Sequence, residues 1–429
     1  MSEKPLYTIP IDQRPPHGPW TSKIFFPILF NLAQLGINSV QFLFLPLLLI
    51  PFAGRRLFES AIGWTKDGYG RLLIAITVLF GPTSLVLTTD APPSITGLVE
   101  RDEKGNMTKL HLPDRLVLMA NHQAYLDWMY MWILACYSGN SHGLVILLKA
   151  SLKKIPIVGW GMRFFGFIFM NRSWAADRDN LTLALTQLGQ QARSDAESEH
   201  SHESSALLPT KKRSPLWLLI FPEGTIVSDE ERVKSVRYAE REGVDDFVTM
   251  LHPRSTGLLF CLRTLLPQIP DLQLLDVTIG YPGVPYGKYP QDWYGLFSVF
   301  LRSVPPPTVH IHLHLYSNLS SDKSEVPSLV TKQPPAGSDA VPPATTGLAT
   351  VEEARAFELW LRGVWTAKEK RMERFYLDQS FHGGEGAVRE VVPVRQIKWH
   401  HWIAAFGGGG LGTATVLGVC LWQLITRLH

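Results

Sequence analysis

The chain has 429 residues, 45% of them hydrophobic, with a mean hydropathy of +0.04 and a formal net charge of +3. That length supplies one large domain or two modest ones with a sizeable core, and the hydropathy implies a globular body carrying a few membrane segments rather than a multi-span transporter. So small a charge, with no basic stripe interleaved with aromatics, excludes nucleic acid as the expected partner; three isolated cysteines (Cys136, Cys261, Cys420) make neither a disulfide framework nor a CxxC metal pair.

Residues 1–23 are polar and proline-rich, unlike a cleavable signal peptide. A membrane-anchoring region is expected over 24–90. Its first apolar stretch, Ile24 to Ala53, is longer than the roughly 20 residues that span a bilayer. Asn31, Gln34, Asn38 and Gln41 with Pro27, Pro46 and Pro51 interrupt it, which predicts a kinked span or a re-entrant helix pair with its amides turned toward protein. A buried core hairpin is the alternative. Leu72 to Leu87 reads as a second, buried or interfacial helix.

The body, 91–317, alternates short apolar runs with helical patterns. Arg115–Met119, Leu144–Leu148, Gly166–Met170, Leu216–Phe221, Leu274–Tyr281 and Thr308–Leu315 are expected strands. Tyr125–Tyr137, Asp177–Ala192 and Ser228–Glu242 are expected helices, the last opening on the capping box Ser228-x-x-Glu231. This alternation predicts an α/β body around a mostly buried central β-sheet flanked by helices. Two polar stretches, about Arg193 to Arg213 and about Asn318 to Thr346 (within a linker over 318–350), hold too little apolar surface to fold and are expected to be disordered. His200 and His202 in the first read as solvated. Val351 to Tyr376, within a segment running to 395, is an amphipathic helix that either lies on a membrane or packs on the body. Residues 402–425 are uncharged and rich in small residues, as expected of a C-terminal transmembrane helix.

Two constellations carry chemistry. The first is Asn121-His122-Gln-Ala-Tyr-Leu-Asp127-Trp128, where a strand ends and a helix begins. A hydroxyl attacking a thioester must lose its proton, and imidazole accepts one near neutral pH. A carboxylate on the other ring nitrogen fixes the tautomer. The two side chains meet if His122 lies in the turn and Asp127 in the first helical turn; alone, the spacing equally describes a helix cap. The second is Phe221-Pro222-Glu223-Gly224-Thr225 after an apolar strand, a glycine-containing turn suited to an anion. No GxSxG nucleophile is present.

Together these motifs resemble the glycerophospholipid acyltransferase family, which includes lysophosphatidic acid acyltransferases. NHQAYLDW is similar to its first motif, which implies His122 and Asp127 as catalytic. GFIFMNR, ending at Arg172, resembles the second, which implies that Arg172 contacts the acceptor's phosphate; Lys149 reads either as a second contact to that phosphate or as a plain surface lysine. FPEGT resembles the third, and implies acceptor binding by Glu223, Gly224 and Thr225; Asn121 is counted with them. The segment Leu251-His-Pro-Arg254-Ser-Thr-Gly257 followed by Asp276-Val-Thr-Ile279 resembles the branch of lysocardiolipin and lysophosphatidylinositol acyltransferases. The resemblance implies acyl-CoA as co-substrate with no cofactor or metal, a lysophospholipid acceptor, attachment to a lipid bilayer, and residence in the endoplasmic reticulum. Intact His122, Asp127, Arg172 and Glu223 argue against a catalytically silent scaffold, and the phosphate-binding features argue against a lipid hydrolase. His310, His312 and His314 alternate along one strand, too widely spaced for one ion to take all three, and read as a polar sheet face.

Overall fold

The computed structural model describes residues 20–171, 173–200, 214–330 and 348–407. Two long helices, α1 (Trp20–Leu43) and α2 (Gly54–Phe80), form an antiparallel hairpin joined through a 3-10 turn over Leu45–Leu49. Phe26, Ala33, Ile37 and Val40 bury one face of α1, whereas Phe25, Ile28, Leu32 and Leu35 on the other are exposed. Three of the four amides turn inward: Gln34, Asn38 and Gln41 are buried, with Asn38 donating to the Ile157 carbonyl (2.7 Å) and Gln41 to the Thr65 hydroxyl (3.2 Å). Asn31 bonds the Pro27 carbonyl of its own helix. α1 is therefore seated on the body by one face and apolar on the other, whereas the start of α2 exposes Arg55, Arg56 and Glu59. Among the described residues one helical stretch, Trp20–Leu49, is long and apolar enough to cross a membrane.

The expected helix over 72–87 divides. Gly81 and Pro82 end α2, and Ser84–Thr89 becomes strand β1, because its apolar and β-branched residues suit a pleated, covered surface. A two-stranded ribbon follows, β2 (Val99–Arg101) and β3 (Met107–Leu110). The body then runs β4 (Arg115–Ala120), α3 (Asp127–Ser138), β5 (Leu144–Lys149), α4 (Val158–Phe164), β6 (Ile168–Met170) and α5 (Trp174–His200). It continues with β7 (Leu216–Ile220), α6 (Asp229–Glu242), α7 (Ser255–Leu265), β8 (Gln273–Gly280), the single turn α8 (Pro290–Trp293) and β9 (Thr308–Tyr316). Helix α9 (Val351–Asp378) and strand β10 (Arg389–Pro393) close the order.

Eight strands form one mixed sheet in the order β10-β1-β9-β8-β4-β7-β5-β6. Strands β8, β4, β7, β5 and β6 are mutually parallel, β9 runs antiparallel to β8, and β10 antiparallel to β1. Both faces are covered, and the central parallel strands β4, β7 and β5 accordingly carry near-continuous apolar runs. Leu116, Leu118 and Ala120 share a core with α1, α2 and α3; Val117 and Met119 point the other way, into a core with α5, α7 and α9. Close packing of α2 on α3 depends on Gly70, where a Cβ would come within 2.4 Å of Cys136 Sγ and 2.8 Å of Trp132 Nε1.

Helix α5 continues to His200, into the first polar stretch. In the second, residues 318–330 are irregular but packed: Leu319, Val326 and Leu329 are buried, and Arg263 holds the Ser328 carbonyl at 2.8 Å. A few apolar anchors fix a segment whose composition otherwise reads as unfolded. Of the open readings of α9, the body-packed one describes what is observed, with Phe357, Leu361, Trp365, Met372 and Phe375 all buried. Of the expected C-terminal transmembrane helix over 402–425, residues 402–407 are helical and the rest lies outside the described residues, as do most of the N-terminal segment, Cys420 and Arg172.

Candidate active site

Parallel strands deliver the site, because their C-terminal ends open on one edge of the sheet, the usual place for a ligand in an α/β sheet. His122 follows β4, FPEGT follows β7, Tyr281 follows β8 and Lys149 ends β5. Asn121 aligns two of these ends. Its amide donates to the Ile279 carbonyl (3.0 Å) and accepts from the Ile279 N–H (2.7 Å), continuing the β4–β8 pairing through a side chain. Asn121 is thereby fully buried and engaged with backbone.

The five-residue spacing closes on itself. His122 Nδ1 lies 2.9 Å from Asp127 Oδ2, and the same oxygen accepts the N–H groups of Gln123 (2.7 Å) and Ala124 (2.9 Å). Asp127, the first residue of α3, therefore folds the turn around its own carboxylate. Its other oxygen, Oδ1, accepts from the Tyr281 hydroxyl at 2.6 Å. Asp127 is buried, while the imidazole is partly exposed and stacks on Phe221 with centroids 4.1 Å apart. A carboxylate at Nδ1 keeps a proton there and leaves the Nε2 lone pair for another partner; Nε2 makes no hydrogen bond among the described residues.

Glu223 meets the pair from below. Oε1 accepts the His122 N–H (3.3 Å) and the Trp365 indole N–H (3.4 Å), and Oε2 accepts the Leu251 N–H (3.4 Å). Burial pushes its carboxyl up to about 8, against the opposing pull of those donors and of Lys368. Lys368 is itself buried, 2.6 Å from Asp276 Oδ1 and 2.6 Å from the Val277 carbonyl. One turn away from Trp365, Glu369 accepts from Val248 N–H (2.6 Å), Thr249 N–H (2.8 Å) and the Thr249 hydroxyl (2.6 Å). The Thr249 carbonyl in turn accepts from Gln123 (2.9 Å). Helix α9 thus braces both the FPEGT turn and the turn that carries His122.

His122, Lys149, Glu223, Gly224 and Thr225 line one cavity of about 1040 Å³. Its remaining walls are largely apolar: Phe30 and Ile37 of α1, Trp128 and Trp132 of α3, Ile146 and Leu148 of β5, then Met162, Phe165 and Phe167. A family profile described as acyltransferase matches residues 103–281, which span these strand ends. Similar curated proteins include the 2-acyl-1-lysophosphatidylinositol acyltransferase of Saccharomyces cerevisiae, 33% identical over 335 residues, covering 75% of this chain and 77% of the relative. The chain belongs to the acyltransferase family. Lysocardiolipin acyltransferase 1 of Danio rerio is 28% identical over 61% of the chain and 53% of its own length. The probable 1-acyl-sn-glycerol-3-phosphate acyltransferase 5 of Arabidopsis thaliana is 31% identical over 48% and 46%. No solved structure matches.

In this acyltransferase Gly224 sits at φ +76°, a left-handed conformation that a side chain resists, and the guanidinium of Arg254 lies over it. The Arg254 N–H donates to the Pro222 carbonyl (2.8 Å), while its side chain lines the cavity. Neither Arg254 nor Lys149 forms an ion pair among the described residues. Asp177 ties down both flanks of position 172, accepting from Asn171 N–H (2.7 Å) and Ser173 N–H (3.1 Å).

The three histidines lie on β9, the strand paired with β8. His312 Nε2 (3.1 Å) and His314 Nδ1 (2.8 Å) share the carboxylate of Asp90, which Arg371 of α9 approaches at 3.3 Å. His310 packs edge-on to Phe375. They form a polar sheet face covered by α9.

Tyr281, Trp365 and Glu369 escape sequence reasoning. Tyr281 carried a signal, since it ends an expected strand as Phe221 of the FPEGT turn does. Trp365 and Glu369 carried none, because their partners lie more than a hundred residues away.

Proposed function

We propose that the protein transfers a fatty acyl group from acyl-CoA to a free hydroxyl of a lysophospholipid, with a phosphodiester acceptor of the lysophosphatidylinositol or lysocardiolipin kind ahead of lysophosphatidic acid. The observation that carries this reading is the His122 ring, held at Nδ1 by Asp127, in the wall of a cavity that is otherwise mostly apolar. His122 Nε2 takes the proton of the acceptor hydroxyl as its oxygen attacks the thioester carbonyl. The tetrahedral intermediate collapses with cleavage of the C–S bond, and CoA leaves as thiolate, taking the proton back from the imidazolium. Hydrogen-bond donors around the strand-end turns are suited to the oxyanion.

The aromatic and aliphatic walls suit an acyl chain, and the cavity is at the upper end of the roughly 300–1,000 Å³ common for ligand sites. Lys149 and Arg254 supply positive charge for the acceptor's phosphate, with Arg172 as a third such group on sequence grounds. The names of the yeast and zebrafish relatives favour a remodelling acceptor. Both substrates partition into membrane, so the reading includes attachment through the apolar face of α1 and through 402–425, at the endoplasmic reticulum.

The test is acyl-CoA transfer by the purified protein against a panel of lysophospholipid headgroups, with His122→Ala beside it. Turnover that is greatest with lysophosphatidylinositol or lysocardiolipin and lost in His122→Ala is expected. Near-normal transfer by that variant sinks the assignment of the base. No turnover with any acceptor favours a scaffold, and release of free fatty acid in place of transfer favours a hydrolase.

A further inference from the structure

We propose that Tyr281 is a positioning residue of the reaction: its hydroxyl, donated to Asp127 Oδ1, fixes the carboxylate that orients His122. The inference rests on the acyl-transfer reading above and concerns a residue outside the His-Asp pair. The carboxylate of Asp127 is buried and has two distinct oxygens. Oδ2 is taken by His122 Nδ1 and two backbone N–H groups, and Oδ1 by the Tyr281 hydroxyl at 2.6 Å. The phenol is thus the donor that keeps the carboxylate from rotating and drawing Oδ2 away from the imidazole. Tyr281 is itself well fixed. It stacks on Tyr294 (centroids 5.7 Å apart), tilts against Tyr130 (6.3 Å), and follows Ile279, which Asn121 clasps from the residue next to His122. The chain from Asn121 through Ile279, Tyr281 and Asp127 back to His122 is a closed ring of contacts. Burial and the Asp127 charge raise the Tyr281 pKa well above its ordinary value, so the phenol stays a donor throughout the working range.

Among the described residues, Tyr130 of α3 and Tyr281 beyond β8 face the Asp127 carboxylate, and Glu223 beyond β7 accepts the His122 N–H. Only one of them changes in Tyr281→Phe, which keeps the stacked ring and removes the hydroxyl. A carboxylate relieved of one donor concentrates charge at Oδ2 and stabilises the imidazolium. His122 must be neutral to act, so the acid limb of kcat/KM moves to higher pH.

The experiment measures transfer as a function of pH for the wild type, Tyr281→Phe, Tyr294→Phe and His122→Ala. Expected for Tyr281→Phe is a fall in kcat of roughly 10- to 100-fold with acceptor KM within about twofold, and an acid limb displaced upward. Tyr294→Phe, which removes a hydroxyl that donates to the Pro282 carbonyl and not to Asp127, leaves the limb in place. Should Tyr281→Phe not accumulate as folded protein, difluorotyrosine at 281 is close in size and a stronger donor, and the limb moves down. An unmoved limb in whichever 281 variant is folded overturns the proposal, whatever happens to kcat, because a purely structural tyrosine does not tune the base. If His122→Ala retains transfer, the parent reading fails; if His122→Ala is dead and the 281 variants behave as wild type, only this inference fails.

Discussion

Trp365 of α9 donates its indole N–H to Oε1 of Glu223 over 3.4 Å, the same oxygen that accepts the backbone N–H of His122. A helix lying outside the profile-matched 103–281 therefore touches the candidate catalytic turn through one carboxylate. Trp365→Phe keeps most of the buried area and deletes the donor. The expected result is a stability loss of about 1–3 kcal/mol and a several-fold lower kcat. Trp365→Ala adds a cavity and costs about 3–5 kcal/mol. Unfolding in detergent and initial rates on the same preparations check both. A Trp365→Phe enzyme with unchanged melting and unchanged turnover contradicts the brace.

Glu223 makes the brace pH-dependent. Its carboxyl is raised by burial from an ordinary value of 4.5 to about 8, so the folded state holds a proton that the unfolded chain has already released. The sign follows: this contribution to stability is complete below about 4.5 and declines as pH rises through about 8. Glu223→Gln cannot titrate, although its NH₂ faces a backbone donor and lowers stability overall. The melting deficit of Glu223→Gln relative to the wild type should therefore narrow between pH 5 and pH 8. Thermal melts at several pH values read this directly, and a constant or widening gap contradicts it.

Legibility followed the range of the interaction. His122, Asp127 and FPEGT were readable because each lies within a few residues of a strand end, where hydrophobic pattern and turn chemistry are local. The centre of the α/β sheet was readable for the same reason, with β4, β7 and β9 each off by one residue at the C-terminal end, whereas β10 was not anticipated. Ser84–Thr89 was absorbed into the preceding apolar run, since a buried strand and a buried helix share composition and only Gly81-Pro82 marks the break. The bond from Trp365 to Glu223 and the clasp of Asn121 on Ile279 join residues far apart in the chain, and no single-sequence pattern encodes such pairs.

Arg254 and Lys149 are cations in the cavity wall with no ion pair among the described residues, and Arg254 lies over Gly224. Charge-assisted bonds to a phosphate are worth about 1.5–3 kcal/mol each. Arg254→Ala and Lys149→Ala should each raise acceptor KM roughly tenfold or more while leaving the KM for acyl-CoA within about twofold. Arg254→Lys should recover only part of the loss, because an ammonium lacks the planar fork. Steady-state kinetics with each substrate varied in turn distinguish acceptor binding from donor binding. Equal effects on both KM values count against a headgroup role.

Leu148 stands on β5 in the apolar wall with Ile146, next to Lys149 and in register with Phe169. If the apolar part of the cavity holds the acyl chain, its volume sets chain length. Leu148→Trp puts an indole into that space without touching the His122–Asp127 pair. Long acyl-CoA donors then clash, at roughly 1–3 kcal/mol for overfilling a packed site, whereas short ones still fit. The ratio of kcat/KM for palmitoyl-CoA to that for octanoyl-CoA should fall about tenfold or more, with the short donor changing little. A uniform fall for both donors means that the substitution disturbs the fold or the base. An unchanged ratio means that the acyl chain lies elsewhere, along the exposed face of α1 and in the bilayer, and the walls of this cavity then serve packing alone.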